Sequence, residues 1–248
     1  MINQKIDAQS TKTFDFEKKT WESMKQHASL LKHVAKERVH DEMLKVFKSK
    51  NPFGYIALLD ELQILEQFFP ALAKTKGNTQ PTRYHPFDTF THTLLTLHAL
   101  QSLNDDYLLK FAMLYHDVGK PQQYAYITKA KNKNPDNPDM SNYVHHTELG
   151  LPLARHDFKQ LGMSKKEIET ICWYIRWHHR PHEILESKAP KAEKKLRKMI
   201  SEVGLEMVLN LLDMVIADRR GQFNPLQAPA VADIYQLKQR AQDIFDEE

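Results

Sequence analysis

Two carboxylates stand at unexpected places in this 248-residue chain. His116-Asp117-Val118-Gly119-Lys120-Pro121 closes an apolar run (Phe111, Ala112, Met113, Leu114), and Asp218 closes another (Leu205, Val208, Leu209, Leu211, Leu212, Val215, Ile216). A carboxylate in the last turn of a helix opposes the macrodipole, at a cost of roughly 0.3–1 kcal/mol when exposed. A neighbouring cation offsets that cost, and imidazole with carboxylate is a mixed ligand set suited to a divalent metal. Histidines occupy matching positions. His92 lies beside the apolar face of an upstream helix, His146 opens a later one, and His178, His179 and His182 crowd the end of Trp173-Tyr174-Ile175-Arg176-Trp177. A single His-Asp pair is more often a solvated surface feature. The set of two misplaced carboxylates and several helix-end histidines points to one shared cation site.

The elements that must position these residues read as helices throughout. Residues 1–13 are a polar tail. Trp21, Met24, Ala28, Leu31, Val34 and Ala35 mark one amphipathic helix, and Val39, Met43, Leu44, Val46 and Phe47 a second. Asn51-Pro52 breaks the second, and a more apolar helix is expected over residues 54–69, stopped by Pro70. Residues 75–86 read as a linker. Beyond it, helices are expected over 87–103, 105–118 (closed by Gly119 and Pro121), 147–161, 165–177 and 204–219, with a shorter basic helix between the last two and a terminal one over 230–245. Residues 128–142, rich in Lys, Asn, Asp and Pro, are expected to be a mobile loop. No strand, internal repeat or long heptad run is visible, so the expected class is all-α.

Composition narrows the alternatives. The length allows one or two domains at the usual size of about 100–200 residues. Seven glycines argue against a P-loop or a dinucleotide fold. Cys172 is the only cysteine, which excludes an internal disulfide, and no apolar run suits a membrane span, so a cytoplasmic protein is expected. Net charge is +3, but the cations cluster: Lys191, Lys194, Lys195, Arg197 and Lys198 in one stretch, Lys18, Lys19, Lys25, Lys32, Lys36 and Arg38 in the first helices. Such density suits a phosphate backbone, although a solvated helix face is the default reading. Trp173 and Trp177 are read as core residues.

The ordered pattern His92, His116-Asp117, His146, His178, Asp218 resembles the HD superfamily of metal-dependent phosphohydrolases. More narrowly, HPFDTFTHTLLTLHAL, KFAMLYHDVGKPQQY, HTELGLPLA and ADRRGQF resemble the C-terminal HD region of bacterial tRNA nucleotidyltransferases, the CCA-adding enzymes. TWESMKQHASLLKHVAKERVHDEMLKVFKSKNP and LLDELQILEQFFPAL resemble their helical neck and body. The resemblance covers roughly residues 14–223 and implies a neck/body-like region over 14–80 and an HD domain over 81–223, which leaves 224–248 as the C-terminal helix read from the residues themselves. It implies that His92, His116, Asp117 and Asp218 hold one divalent ion, with His146 and His178 available to a second and Asp117 as the bridge. His182 matches a further histidine of some relatives. His and Asp ligands suit Mn, Fe, Ni, Co or Zn, with Mg possible at a carboxylate-dominated position.

What the resemblance implies chemically is hydrolysis of a phosphate-containing substrate: 2′,3′-cyclic phosphates, nucleotides or RNA ends. Lys120 either contacts a substrate phosphate or complements the helix C-terminus, and Arg219 and Arg220 either bind phosphate or are surface charges. His179 and His182 are further candidates for metal or phosphate contact. The polymerase head of the family needs a Gly-Ser or Gly-Gly loop followed by Asp-x-Asp. This sequence has neither, since no two glycines adjoin and Asp15-Phe16-Glu17 follows no glycine loop, so nucleotide addition is not expected of it. Two other readings stand beside hydrolysis. One is an RNA- or tRNA-binding body working with a nucleotidyltransferase head supplied by the same gene or another polypeptide, its metal site structural or vestigial. The other is a helical structural protein with incidental histidines.

Overall fold

The computed structural model describes residues 16–79, 86–123, 145–222 and 230–247, and no strand occurs among them. Helix α1 (Lys18–His27) runs into a 3-10 turn (Ala28–His33), followed by α2 (Lys36–Lys48), α3 (Pro52–Glu61), α4 (Leu65–Phe68) and α5 (Pro70–Ala73). Then come α6 (Thr89–Leu100), α7 (Tyr107–Tyr115), α8 (His146–Gln160), α9 (Lys165–Trp177), α10 (Arg180–Leu185), α11 (Ala189–Val203), α12 (Leu205–Gly221) and α13 (Ala232–Asp246). No helix among the described residues is long and apolar enough to cross a membrane.

Local chemistry starts the helices where the site needs them. The Asp88 carboxylate accepts from Thr91 N at the head of α6, and Asp106 accepts from Leu108 N and Leu109 N at the head of α7. Ser164 and Glu167 form a reciprocal capping box that opens α9. Three expectations need correction. Residues 54–69 are not one helix: Gln63 sits at φ 59°, which stops α3, and Pro70 begins α5 at its N1 position instead of merely ending what precedes it. Helix α7 ends at Tyr115, and residues 116–119 form the turn that directs Asp117 inward. The basic helix α11 is also fifteen residues long, no shorter than most of its neighbours. The tail over 1–13, residues 80–85 of the linker and the stretch 128–142 lie outside the described residues.

One core runs through both halves of the chain. Helix α12 packs along α6, and α9 packs on α7 and α8. The N-terminal helices share this core: Phe47 of α2 stacks on Phe111 of α7 with centroids 3.6 Å apart, and Phe69 meets Tyr115 edge-on at 6.2 Å. Full burial of such a ring contributes roughly 1.5–3 kcal/mol. Two buried charges are placed on the same seam. Lys110 of α7, with no exposed surface, donates from Nζ to the carbonyls of Phe47 (3.2 Å) and Ser49 (3.0 Å) at the end of α2. Asp157 of α8 accepts from Ala71 N and from the Tyr115 hydroxyl, both at 2.9 Å. Neither residue stood out in the sequence, because nothing local distinguishes a buried lysine from a surface one.

Candidate metal centre

Five helices deliver six side chains to one place. His92 comes from the middle of α6, His116 is the residue that caps α7, and Asp117 follows it. His146 is the first residue of α8, His178 caps α9, and Asp218 lies in the last turn of α12. His92, His116, Asp117, His146 and His178 are all buried. His92 Nε2 lies 3.0 Å from Asp218 Oδ1 and 3.6 Å from Asp117 Oδ2, and His116 Nε2 lies 3.2 Å from Asp117 Oδ2 and 3.5 Å from Asp218 Oδ1. The other Asp117 oxygen faces His146 Nε2 at 3.3 Å, which in turn is 3.4 Å from His178 Nε2. One carboxylate therefore addresses both halves of the cluster.

The far side of each ring fixes which nitrogen carries the proton. His116 Nδ1 is 2.7 Å from the Met113 carbonyl, His178 Nδ1 is 2.7 Å from the Ile175 carbonyl, and His92 Nδ1 is 3.3 Å from the Gly221 carbonyl. A carbonyl oxygen only accepts, so Nδ1 donates in all three and, in the neutral ring, Nε2 presents a lone pair to the cluster. Backbone carbonyls orienting metal-binding imidazoles in this way are a recurrent outer-sphere arrangement. The donor atoms fall into two groups, His92-His116-Asp218 and His146-His178-His179, each with ligand atoms within 4.8 Å of one another. His116 Nε2 is sealed from solvent yet makes no well-formed hydrogen bond. The donor set thus suits a divalent cation.

Electrostatics agree with that geometry. Burial opposes ionisation of Asp117, but His116 and Lys120 hold its carboxyl well below the usual carboxylate range. Burial likewise opposes the charge on Asp218, which His116 and His92 keep low. Burial also disfavours a charged His116, yet Asp117 and Asp218 outweigh it and lift the ring to about 10, so the pair of carboxylates draws positive charge to Nε2. On the other side, burial and then the neighbouring His146 and His116 push His178 down to about 3, while His178 and burial do the same to His179. Both rings are therefore neutral at ordinary pH, the form that ligates.

Other expected residues sort themselves by position. Lys120 is 7 % exposed and its ammonium pairs with Asp117, so it serves the inner carboxylate and is not displayed on the surface. Arg219 extends from α12 to Asp233 and His182, whereas Arg220 reaches Tyr235 on α13. Trp177 is not a core residue: it is 37 % exposed, with the Arg180 guanidinium over its ring. In the basic helix α11, Arg197 is paired with Glu193 and Glu247, and Lys195 donates to the Glu183 carbonyl and Ser187. Lys198 lies 3.6 Å from Glu202, and Lys191 and Lys194 are exposed. What the sequence did not show are the two glycines that let the helices close. A Cβ on Gly119 would fall 1.9 Å from the His146 carbonyl, and one on Gly221 would fall 2.3 Å from Thr96 Cγ2 and 2.9 Å from Thr96 N.

Comparison with known families decides the assignment. The HD domain model matches residues 89–220, more than half of the chain. The chain belongs to the HD domain family. Ahead of the HD domain, residues 13–76 match the family described as "Probable RNA and SrmB-binding site of polymerase A". Relatives of the whole arrangement include the Multifunctional CCA protein of Shewanella denitrificans, 29 % identical over 193 residues, which covers 77 % of this chain and 44 % of the relative. The A-adding tRNA nucleotidyltransferase of Deinococcus radiodurans is 27 % identical over 223 residues (87 % and 48 %). The Multifunctional CCA protein of Pasteurella multocida is 29 % identical over 222 residues (85 % and 49 %). This HD protein spans about half the length of the curated relatives it matches. The match that carries an RNA-binding description lies on the N-terminal helices and not on α11, where the cationic run had suggested it.

Proposed function

We propose that this chain is a divalent-metal-dependent phosphohydrolase acting on 2′,3′-cyclic phosphates, nucleotides or RNA ends. The observation that supports it is the convergence of oriented imidazole Nε2 atoms around two ionised carboxylates, one of which, Asp117, faces both halves of the cluster. His92, His116, Asp117 and Asp218 would hold one ion, and His146 and His178, with His179 beside them, a second. When bound, such ions supply Lewis acidity and neutralise charge on the phosphoryl group. The chain's own contribution is orientation and exclusion of water. Backbone carbonyls fix the rings, burial strengthens every charge interaction in the cluster, and Lys120 keeps Asp117 ionised and in place. The purified protein is expected to hydrolyse cyclic nucleotides in a chelator-sensitive manner, with turnover restored by one of Mn, Fe, Ni, Co, Zn or Mg. A fully metal-loaded protein inert towards cyclic nucleotides, nucleotides and tRNA 3′ ends would refute it.

A second reading is supported by the match over residues 13–76: the N-terminal helices bind RNA, and the chain acts as a tRNA-holding body beside a nucleotidyltransferase head. Charge separates the candidate surfaces. Lys19, Lys32 and Arg38 are exposed on α1, the 3-10 turn and α2, while α11 offers Lys191, Lys194 and Lys198. Reversing Lys19, Lys32 and Arg38 to glutamate is expected to weaken tRNA binding and flatten its salt dependence, by about 0.7–0.9 in the log–log slope for each phosphate no longer neutralised. The same change at Lys191, Lys194 and Lys198 should leave the slope unaltered. The opposite pattern would return the RNA surface to α11.

A further inference from the structure

His92, His116 and His178 share one tautomer, whereas His182 is the exception, and its difference assigns it a task. Its Nδ1 lies 3.1 Å from Nη2 of Arg219. A guanidinium has only donors, so Nδ1 of His182 must accept, and the proton of the neutral ring is on Nε2. That is the reverse of His116 and His178, whose Nδ1 atoms face carbonyl oxygens. A protonated Nε2 has no lone pair for a metal, and that of Nδ1 is already engaged by Arg219. His182 is thus a hydrogen-bond donor placed beside a set of ligands.

Its support is rigid. Arg219 is anchored by Asp233 Oδ1 and by the Ala230 carbonyl at 2.7 Å, and it directly follows Asp218 in α12. The His182 ring, half-buried on α10, stands 6.4 Å from the ring of His179 at the exposed end of the cluster. A fixed N–H with a guanidinium behind it recognises an oxyanion and is unsuited to a cation. We propose that His182 donates from Nε2 to a phosphoryl oxygen of the substrate and is not a metal ligand, Arg219 acting as the positioning residue that holds its tautomer. This rests on the proposed phosphohydrolase function and adds to it the group that contacts the phosphoryl oxygens.

The test uses the full chain loaded with Co²⁺, with inorganic phosphate as the probe. Elemental analysis and the cobalt absorption spectrum report the ligand sphere, and phosphate titration reports the donor. His182→Ala is expected to keep the cobalt stoichiometry and spectrum of the unaltered protein while weakening phosphate binding by about 10-fold or more, the usual value of a hydrogen bond to a charged group. His182→Gln, whose amide retains a donor, should recover part of that affinity, and it serves also if the alanine variant fails to fold. Loss of a cobalt equivalent or a changed spectrum in either variant would make His182 a ligand and overturn the proposal. Unchanged phosphate affinity in His182→Ala would overturn it as well. Unaltered protein that binds cobalt but not phosphate would remove the role of His182 while leaving the metal centre standing. Protein that takes up no cobalt would bring down the phosphohydrolase reading and this role together.

Discussion

Replacing Asp117 with alanine is expected to lower divalent-ion affinity by well over 100-fold and to abolish any metal-dependent turnover. The expectation follows from the position of its two oxygens. Oδ2 lies within 3.6 Å of both His92 and His116, and Oδ1 lies 3.3 Å from His146, so this one carboxylate joins both halves of the cluster. Outer-sphere partners of metal ligands are commonly worth about 10–100-fold in affinity, and an inner carboxylate should exceed them. Stability falls too, because Lys120 is 7 % exposed and would be deprived of its carboxylate partner. Breaking a buried pair in this way costs about 3–5 kcal/mol. Asp117→Asn keeps the side-chain shape and removes only the charge, so it separates the loss of the carboxylate charge from the cavity that alanine leaves. Metal content after dialysis, read beside the thermal unfolding midpoint, makes the measurement. An alanine variant with undiminished metal content would exclude Asp117 from the centre.

The second large effect is expected at Gly119, where the cause is space and not charge. Any β-carbon there would fall 1.9 Å from the His146 carbonyl oxygen and 2.6 Å from Gly150 N, which are backbone atoms of the first two turns of α8. A flexible side chain can swing away from such a clash, but a helix backbone must move as a unit. Overpacking in cores typically costs about 1–3 kcal/mol, and a backbone obstacle this close should place Gly119→Ala at about 3 kcal/mol or above. The same displacement carries His146 away from Asp117, so metal binding at the His146-His178-His179 group should weaken as well. Gly77→Ala is the comparison: Gly77 has φ +70° but nothing within 4 Å of its added carbon, so only the backbone penalty of about 1–2 kcal/mol applies. Urea midpoints of the two variants report the difference. Equal midpoints would mean that α8 yields freely and that Gly119 does not set its position.

Much of the fold was legible because its signals are local. The helix expected over 165–177 is α9 at Lys165–Trp177, and the capping box of Ser164 with Glu167 three residues on is the local chemistry that starts it there. The break inside residues 54–69 was not legible, since Gln63 in a left-handed conformation carries no sequence mark comparable to a glycine. Trp177 was misread for a related reason: four residues after Trp173 is the spacing of a shared face, yet only Trp173 turns towards the core. At the site, residue types were visible and their orientation was not. Nothing in the order of letters says that His182 meets a guanidinium while His116 and His178 meet carbonyls. Nor could a basic run reveal that Arg197 and Lys195 are occupied within the molecule, because their partners lie on other elements or in other turns.

The seam closed by Lys110 and Asp157 means that the two regions matched to separate families cannot be cut apart at the stretch between them. A fragment beginning at residue 86 would expose the ring faces of Phe111 and Tyr115 to water. It would also leave an ammonium stripped of two carbonyl acceptors and a carboxylate stripped of the Ala71 amide. All of this damage falls on the HD portion, not on the part removed. The N-terminal helices are therefore a lining of the HD core as much as a platform of their own. A strain applied to the end of α2 would pass through Lys110 into α7, whose far end carries the His116-Asp117 pair.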